Sequence, residues 1–208
     1  MQLILASASP RRRELLSMLE VPFSLRESMV DERALEAGLA GAAPAEKAMK
    51  TAEAKALSAA EGLAGPAVII GADTIVAYDG ELLHKPADKD AAFATLSRLS
   101  GHTHMVYTGV CLAEVLPGKA PIPHSFVAGT RVTFRSLTEK EILAYIATGE
   151  PFDKAGAYGI QGKGALLVSR IEGDFFNVVG LPLTELHLRL RALGLDIPSF
   201  WESTEKKS

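Results

Sequence analysis

The chain has 208 residues, 48% of them apolar and 23% charged, with a net charge of −3, the make-up of a globular protein with material for one substantial core. Such a balance excludes any general electrostatic pull toward nucleic acid or an anionic membrane, so a polyanionic ligand must be met by a local basic cluster. The single cysteine, Cys111, excludes an internal disulfide or a cysteine metal site, and with no apolar run near the ~18 residues of a membrane span and no basic residues ahead of Leu3-Ile4-Leu5 as an export signal requires, a cytoplasmic protein is expected.

In chain order, residues 2–6 predict a strand, which Ser7-Ala8-Ser9-Pro10 breaks. Ser9 is a natural N-cap and Pro10 suits the first helical position. A strand, a small hydroxylated turn and a helix start together suit a phosphate, because free backbone N–H groups point out of the turn. Arg11, Arg12 and Arg13 follow, where positive charge opposes the helix dipole and so asks for an anion. Helical spacing sets Arg11 and Arg12 on the inward stripe of Leu15, Leu16 and Leu19 and turns Arg13 toward water. Residues 21–25 predict a second strand. The acids Asp31-Glu32 either hold a divalent cation through hard oxygen ligands or simply face solvent. After an Ala/Gly-rich loop over 38–44, Pro44 opens an alanine-rich helix to about residue 62. Lys55 falls on its small apolar stripe with Ala48 and Ala52, directed at phosphate or snorkelling to water.

The run Val68-Ile69-Ile70 predicts a strand buried on both faces. Gly71 and Ala72 are read as clearing a turn-off that leaves Asp73 at the strand end, where open α/β sheets place ligands; a cap or turn is the alternative reading of that carboxylate. Asp79-Gly80 predicts a hairpin turn, and Lys85, fixed in extended backbone by Pro86, is a positioned cation. Then come a helix over 88–99 ending at Ser100-Gly101, strands over 106–115 and 125–134, and a capping-box helix from Thr138 to about residue 147. His102, His104 and His124 lack metal-binding spacing and read as structural. Over 148–164, five glycines alternate with charged, aromatic and amide residues, as suits a backbone that approaches a ligand closely, with a structural glycine-rich hairpin as the alternative. Residues 173–182 lead, as a last strand or loop, into a final helix over 183–193.

Taken together, Leu5-Ala6-Ser7-Ala8-Ser9-Pro10-Arg11-Arg12, Gly71-Ala72-Asp73-Thr74, Lys85-Pro86, Leu99-Ser100-Gly101, Gly149 through Gly162 and Val178-Val179-Gly180-Leu181-Pro182 resemble the Maf family of nucleoside triphosphate pyrophosphatases, in family order along nearly the whole chain. The resemblance implies an α/β fold like that of the inosine triphosphate pyrophosphatases, an elongated mixed sheet with flanking helices and two lobes around a cleft. It implies one domain over 1–200, with 201–208 as a polar tail. The implied reaction, in the branch this sequence resembles, is hydrolysis of dTTP and UTP to the monophosphate and pyrophosphate with a divalent cation, Mg²⁺ or Mn²⁺. By resemblance Asp73 is the proton acceptor; Glu32 and Asp73 are the acids available to a metal, with Asp73 as base, metal ligand or both left open. Ser7, Arg12, Lys55 and Lys85 bind the phosphates, while Arg11, Thr74 and Gln161 select the base. These residue types are what the chemistry needs, since attack on the α-phosphorus calls for positive charge on the leaving group and a carboxylate to orient or deprotonate water. A small-molecule triphosphate is thus the expected partner, without nucleic acid or membrane; a homodimer is left open. The alternative is a nucleotide-binding regulator of cell division without significant turnover, against which the intact acids speak.

Overall fold

In a computed structural model, which describes residues 1–205, strands and helices alternate as β1 (Gln2–Ala6), α1 (Pro10–Ser17), β2 (Ser24–Leu25), α2 (Glu32–Gly38), α3 (Pro44–Ala60), β3 (Ala67–Tyr78), β4 (Glu81–Leu83), α4 (Lys89–Leu99), β5 (Thr103–Val115), β6 (Ile122–Phe134), α5 (Glu139–Ala147), β7 (Val168–Glu172), α6 (Phe175–Val179), α7 (Leu183–Ala192) and α8 (Pro198–Glu205). Between α5 and β7 the chain makes three short 3₁₀ segments. The strands form one mixed sheet in the order β2-β1-β3-β5-β6-β7, with β4 added to β3. β1 lies parallel to β2 and β3, whereas β4 and β7 run antiparallel to β3 and β6. The protein is a mixed α/β chain with its helices flanking this sheet. Among the described residues no helix is long and apolar enough to cross a membrane.

Local sequence accounts for most of these elements. Thr138 and Glu141 close the capping box of α5, Asp88 caps α4, and Asp79 and Gly80, both at positive φ, make the turn from β3 into β4. The structure departs from the sequence reading at four points. The second strand keeps only Ser24–Leu25. A short helix, α2, stands where no element was expected, just ahead of the Ala/Gly-rich loop: Asp31 caps it by accepting from the N–H groups of Arg33 and Ala34, leaving Glu32 as its first residue. Residues 168–179 form β7 and α6 before the final helix begins. Most consequentially, β3 does not stop before Asp73 but runs through it to Tyr78. The β-branched pattern resumes at Ile75-Val76, and Gly71 serves packing instead of a turn.

The chain divides into two compact units. The first comprises Met1–Asp73, Thr108–Val127 and the segment from Gly180 onward. Its core sets the alanine stripe of α3, with Ala52, Ala56 and Ala59, against Ile4, Ile69, Cys111 and Ala113. The approach is backbone to backbone: a Cβ on Gly71 would stand 2.3 Å from the Ala52 carbonyl oxygen, and one on Gly109 would stand 2.2 Å from that of Ala48. α3 therefore presses on two strands at points one helical turn apart. Of the polar tail expected over 201–208, the first residues belong to α8, where Trp201 donates its indole N–H to the Leu19 carbonyl at 2.6 Å. Residues 206–208 lie outside the described residues.

The second unit comprises Thr74–Tyr107 and Ala128–Val179. Val76, Leu96, Leu99, Phe134, Ile142 and Tyr158 lie in its core. His104, 2% exposed, is bonded through Nε2 to the Tyr158 hydroxyl at 2.7 Å and stands edge-on to Phe134. The structural reading of this histidine fits that place.

Candidate active site

The close seating of α3 on β3 carries Lys55 inward. Its Nζ lies 2.8 Å from Asp73 Oδ1 and 3.0 Å from Glu32 Oε1, and only 11% of its side chain is exposed. With no side chain at Gly71 and only methyl groups along the alanine stripe, a lysine on this helix face can reach a carboxylate on the neighbouring strand. Asp73 is partly exposed, on the stretch of β3 between the end of its ladder with β1, at Ala6–Gly71, and the start of its ladder with β4, at Val76–Leu83. A buried ammonium held by two carboxylates is electrostatically sound, because each charge offsets the desolvation of the others.

The turn after β1 gathers a second cation. Ser7 Oγ accepts from the Ser9 N–H and from Arg12 Nη1, both at 3.2 Å. Arg12 Nε donates to the Gly180 carbonyl at 2.8 Å. Burial lowers the Arg12 pKa below the ordinary guanidinium range, while the Asp73 carboxylate pushes it back up, Arg11 adds to the lowering and Glu32 opposes it. The charges of Arg12, Asp73, Glu32 and Arg11 are therefore felt at one place. Ser9 stands at the N-cap of α1 with Pro10 next, but its side chain makes no capping bond. Arg11 is half-buried and Arg13 exposed, in line with helical spacing; Arg13, Ser7 and Ser9 also line a cavity of about 240 Å³ together with Arg26 and Glu27. In the first unit, then, the structure brings together Ser7, Arg12, Glu32, Lys55 and Asp73.

The other expected site residues belong to the second unit. Thr74 directly follows Asp73 on β3 and is half-buried. Lys85 is exposed beside the buried Pro86. Gln161, also exposed, caps the 3₁₀ segment Gly162–Leu167 in extended backbone. Sequence patterns left several participants unassigned. The Gly180 carbonyl that holds Arg12 sits in a motif whose role was unread. Tyr145 and Glu150 brace the glycine-rich loop: the Tyr145 hydroxyl accepts from the Gly159 N–H at 3.2 Å, and Glu150 Oε1 accepts from the Lys163 N–H at 3.3 Å. Burial, foremost, raises the Tyr145 pKa to about 12. Asn177 is fully buried and ties the Val106 carbonyl to Thr130 Oγ1. Only the amide among hydrophobic neighbours in Phe-Phe-Asn-Val-Val hinted at such a role.

Glu32 and Asp73, the residues expected to hold a divalent ion, offer hard oxygen donors that already converge on one cation, the Lys55 ammonium. That donor set suits Mg²⁺ or Mn²⁺. Among the described residues no group of three or more His, Cys, Asp or Glu is gathered for a metal, so an ion on these two carboxylates would complete its shell from water and phosphate oxygens, as Mg²⁺ commonly does.

Four similarities accompany this geometry. The sequence model of the Maf-like proteins matches residues 2–193. A dTTP/UTP pyrophosphatase from Moorella thermoacetica is 50% identical over 196 residues, 94% of this chain and 97% of its own, and one from Thermococcus kodakarensis is 47% identical over 197 residues, 95% and 99% of the two chains. Among solved structures, a nucleoside-triphosphatase / dITP/XTP pyrophosphatase from Mycobacterium abscessus aligns with a TM-score of 0.42 at 14% identity, covering 93% of this chain and 96% of that one.

Proposed function

The chain belongs to the Maf family, and from that premise we propose that it is a nucleoside triphosphate pyrophosphatase hydrolysing dTTP and UTP to the monophosphate and pyrophosphate. The observation that carries the reading is the name dTTP/UTP pyrophosphatase borne by relatives 44–50% identical over most of the chain. The cluster around Asp73 supplies matching chemistry.

Asp73 is the general base: its carboxylate takes a proton from the water whose oxygen attacks the α-phosphorus, and the bond from that phosphorus to the bridging oxygen breaks. Charge that develops on the departing pyrophosphate is met by Arg12 and Lys55, already fixed by Ser7, Gly180, Glu32 and Asp73; preorganised cations stabilise such a charge without reorganising. Glu32 and Asp73 would hold a divalent cation, Mg²⁺ or Mn²⁺, which would supply polarisation of the phosphate oxygens. By the family pattern Lys85 adds to the positive charge, and Arg11, Thr74 and Gln161 read the base. A glutamine amide offers both a donor and an acceptor, which match the N3–H and neighbouring carbonyl of uracil or thymine.

The test is chromatography of products from a panel of UTP, dTTP, GTP and 7-methyl-GTP, with and without Mg²⁺ or Mn²⁺. Monophosphate and pyrophosphate from UTP and dTTP, formed faster than from the purine nucleotides, are expected. Orthophosphate and diphosphate as primary products overturn the mechanism, and equal kcat/KM across the panel overturns the base preference. No turnover of any of them favours a binding regulator.

A further inference from the structure

Gln161 lies between two backbone anchors. Two residues before it, the Gly159 N–H donates to the Tyr145 hydroxyl at 3.2 Å, and two residues after it, the Lys163 N–H donates to Glu150 Oε1 at 3.3 Å. The two anchors are near one another, because the Glu150 carboxylate is among the groups that raise the Tyr145 pKa. A phenol oxygen can accept from an N–H, and so can a carboxylate, so each anchor satisfies one loop amide. The loop backbone is thus held at Gly159 and at Lys163, on either side of the exposed Gln161.

The Tyr145 half of this brace rests on the scaffold. Tyr145 is 5% exposed on α5 and packs in the core of the second unit, and α5 is fixed at its start by the Thr138–Glu141 capping box. Glu150 opens the 3₁₀ segment after α5, and its carbonyl accepts from Lys154 Nζ at 2.7 Å. The loop folds back tightly above the hydroxyl: a Cβ on Gly164 would stand 2.8 Å from Tyr145 Oη and 2.1 Å from the Gly159 carbonyl oxygen. A short exposed amide discriminates between bases only when its backbone is held in one place, since a hydrogen-bonding site loses its selectivity once its groups are free to re-aim.

We propose that Tyr145 and Glu150 are positioning residues for base selection, setting the direction of Gln161 through the amides on either side of it. The inference rests on Gln161 reading the base, as proposed above. Neither residue touches the nucleotide; both act through the loop.

The experiment compares kcat/KM for UTP and GTP in Tyr145→Phe, Glu150→Ala and Glu150→Gln, alone and combined with Gln161→Ala, with melting curves confirming that each variant is folded. Tyr145→Phe keeps the packed ring and removes only the hydroxyl. Expected is a fall in the UTP/GTP ratio of about tenfold or more for Tyr145→Phe and Glu150→Ala, expressed mainly in KM. Glu150→Gln keeps an acceptor for the Lys163 N–H and should recover part of the ratio. Neither brace mutation should lower the ratio further once Gln161 is alanine, and amide exchange over 159–163 should quicken in Tyr145→Phe. An unchanged ratio in folded Tyr145→Phe and Glu150→Ala, or an equal loss with and without Gln161, overturns the positioning role while leaving the base reading intact. A ratio unmoved by Gln161→Ala itself removes the base reading, and this inference with it.

Discussion

Lys55 Nζ stands 2.8 Å from Asp73 Oδ1, in a pair of which 11% and 18% of the two side chains are exposed. A carboxylate so placed is held in one orientation while one of its edges stays open to solvent. Asp73→Asn preserves the shape and removes both the base and the charge. Turnover of UTP should fall by at least ~10²-fold, the scale of positioned acid–base catalysis, with circular dichroism unchanged. Near-normal kcat would make Asp73 structural and turn attention to Glu32.

The same ammonium occupies the point on which Glu32 and Asp73 converge. Lys55→Met removes a positive charge that competes with a divalent cation for those oxygens. Mn²⁺ affinity of the nucleotide-free protein should rise by about tenfold or more, a change of about 1.4 kcal/mol, while UTP hydrolysis falls for want of a phosphate-binding cation. Calorimetry with Mn²⁺ alone measures the first effect apart from the second. Unchanged or weaker Mn²⁺ binding would show that the two carboxylates are not the metal's donors.

Gly71→Ala sets a methyl group against the α3 backbone, 2.3 Å from Ala52 O and 2.7 Å from Ala56 N in the unrelaxed structure. Overpacking of this kind costs about 1–3 kcal/mol or more, read as a lower urea midpoint, and moves Lys55 away from Asp73, so activity should fall with stability. Gly38→Ala, which meets nothing within 4 Å at the end of α2, is the control and should change the midpoint little. Equal midpoints for the two variants would contradict the packing role of Gly71.

Burial lowers the His104 pKa from the ordinary 6.5 to about 4. Because the folded value lies below the unfolded one, the unfolded chain takes up the proton first. The stabilising contribution is therefore complete above pH 6.5, declines as pH falls below it, and is lost once pH passes the folded value near 4. Its full size is about 3 kcal/mol. Urea midpoints at pH 7 and pH 4.5 should differ more for the natural chain than for His104→Gln, which cannot titrate there. The same pH dependence in both would assign the acid sensitivity to other groups.

Elements signalled by adjacent residues were legible: the Ser9-Pro10 helix start, the Thr138 capping box, the Asp79-Gly80 turn and the β-branched run at Val68 all stand where local chemistry puts them. Lys55 was legible too, since its place on the alanine stripe depends only on helical spacing. Asp73 was read in the right motif but at the wrong point of its strand. Gly71 and Ala72 resemble a turn-off in local sequence, and the reason Gly71 carries no side chain is an earlier helix, α3, that only the folded chain brings against it. The helix α2 was missed because it buries none of its residues, leaving no apolar periodicity to detect. The Tyr145–Glu150 brace was hidden for a similar reason. Its bonds go to backbone amides 13 and 14 residues away, and backbone carries no sequence signal.

The indole of Trp201, donating to the carbonyl of Leu19 just beyond α1, is the only tryptophan in the chain. Light absorbed at the red edge of the protein spectrum is therefore taken up almost wholly at one known spot, where the last helix meets the end of the first. Emission from that spot follows the docking of α8 and no other event directly. If α8 lifts before the rest unfolds, the fluorescence transition will precede the circular-dichroism transition, and the gap between the two curves will measure how independently the last helix lets go.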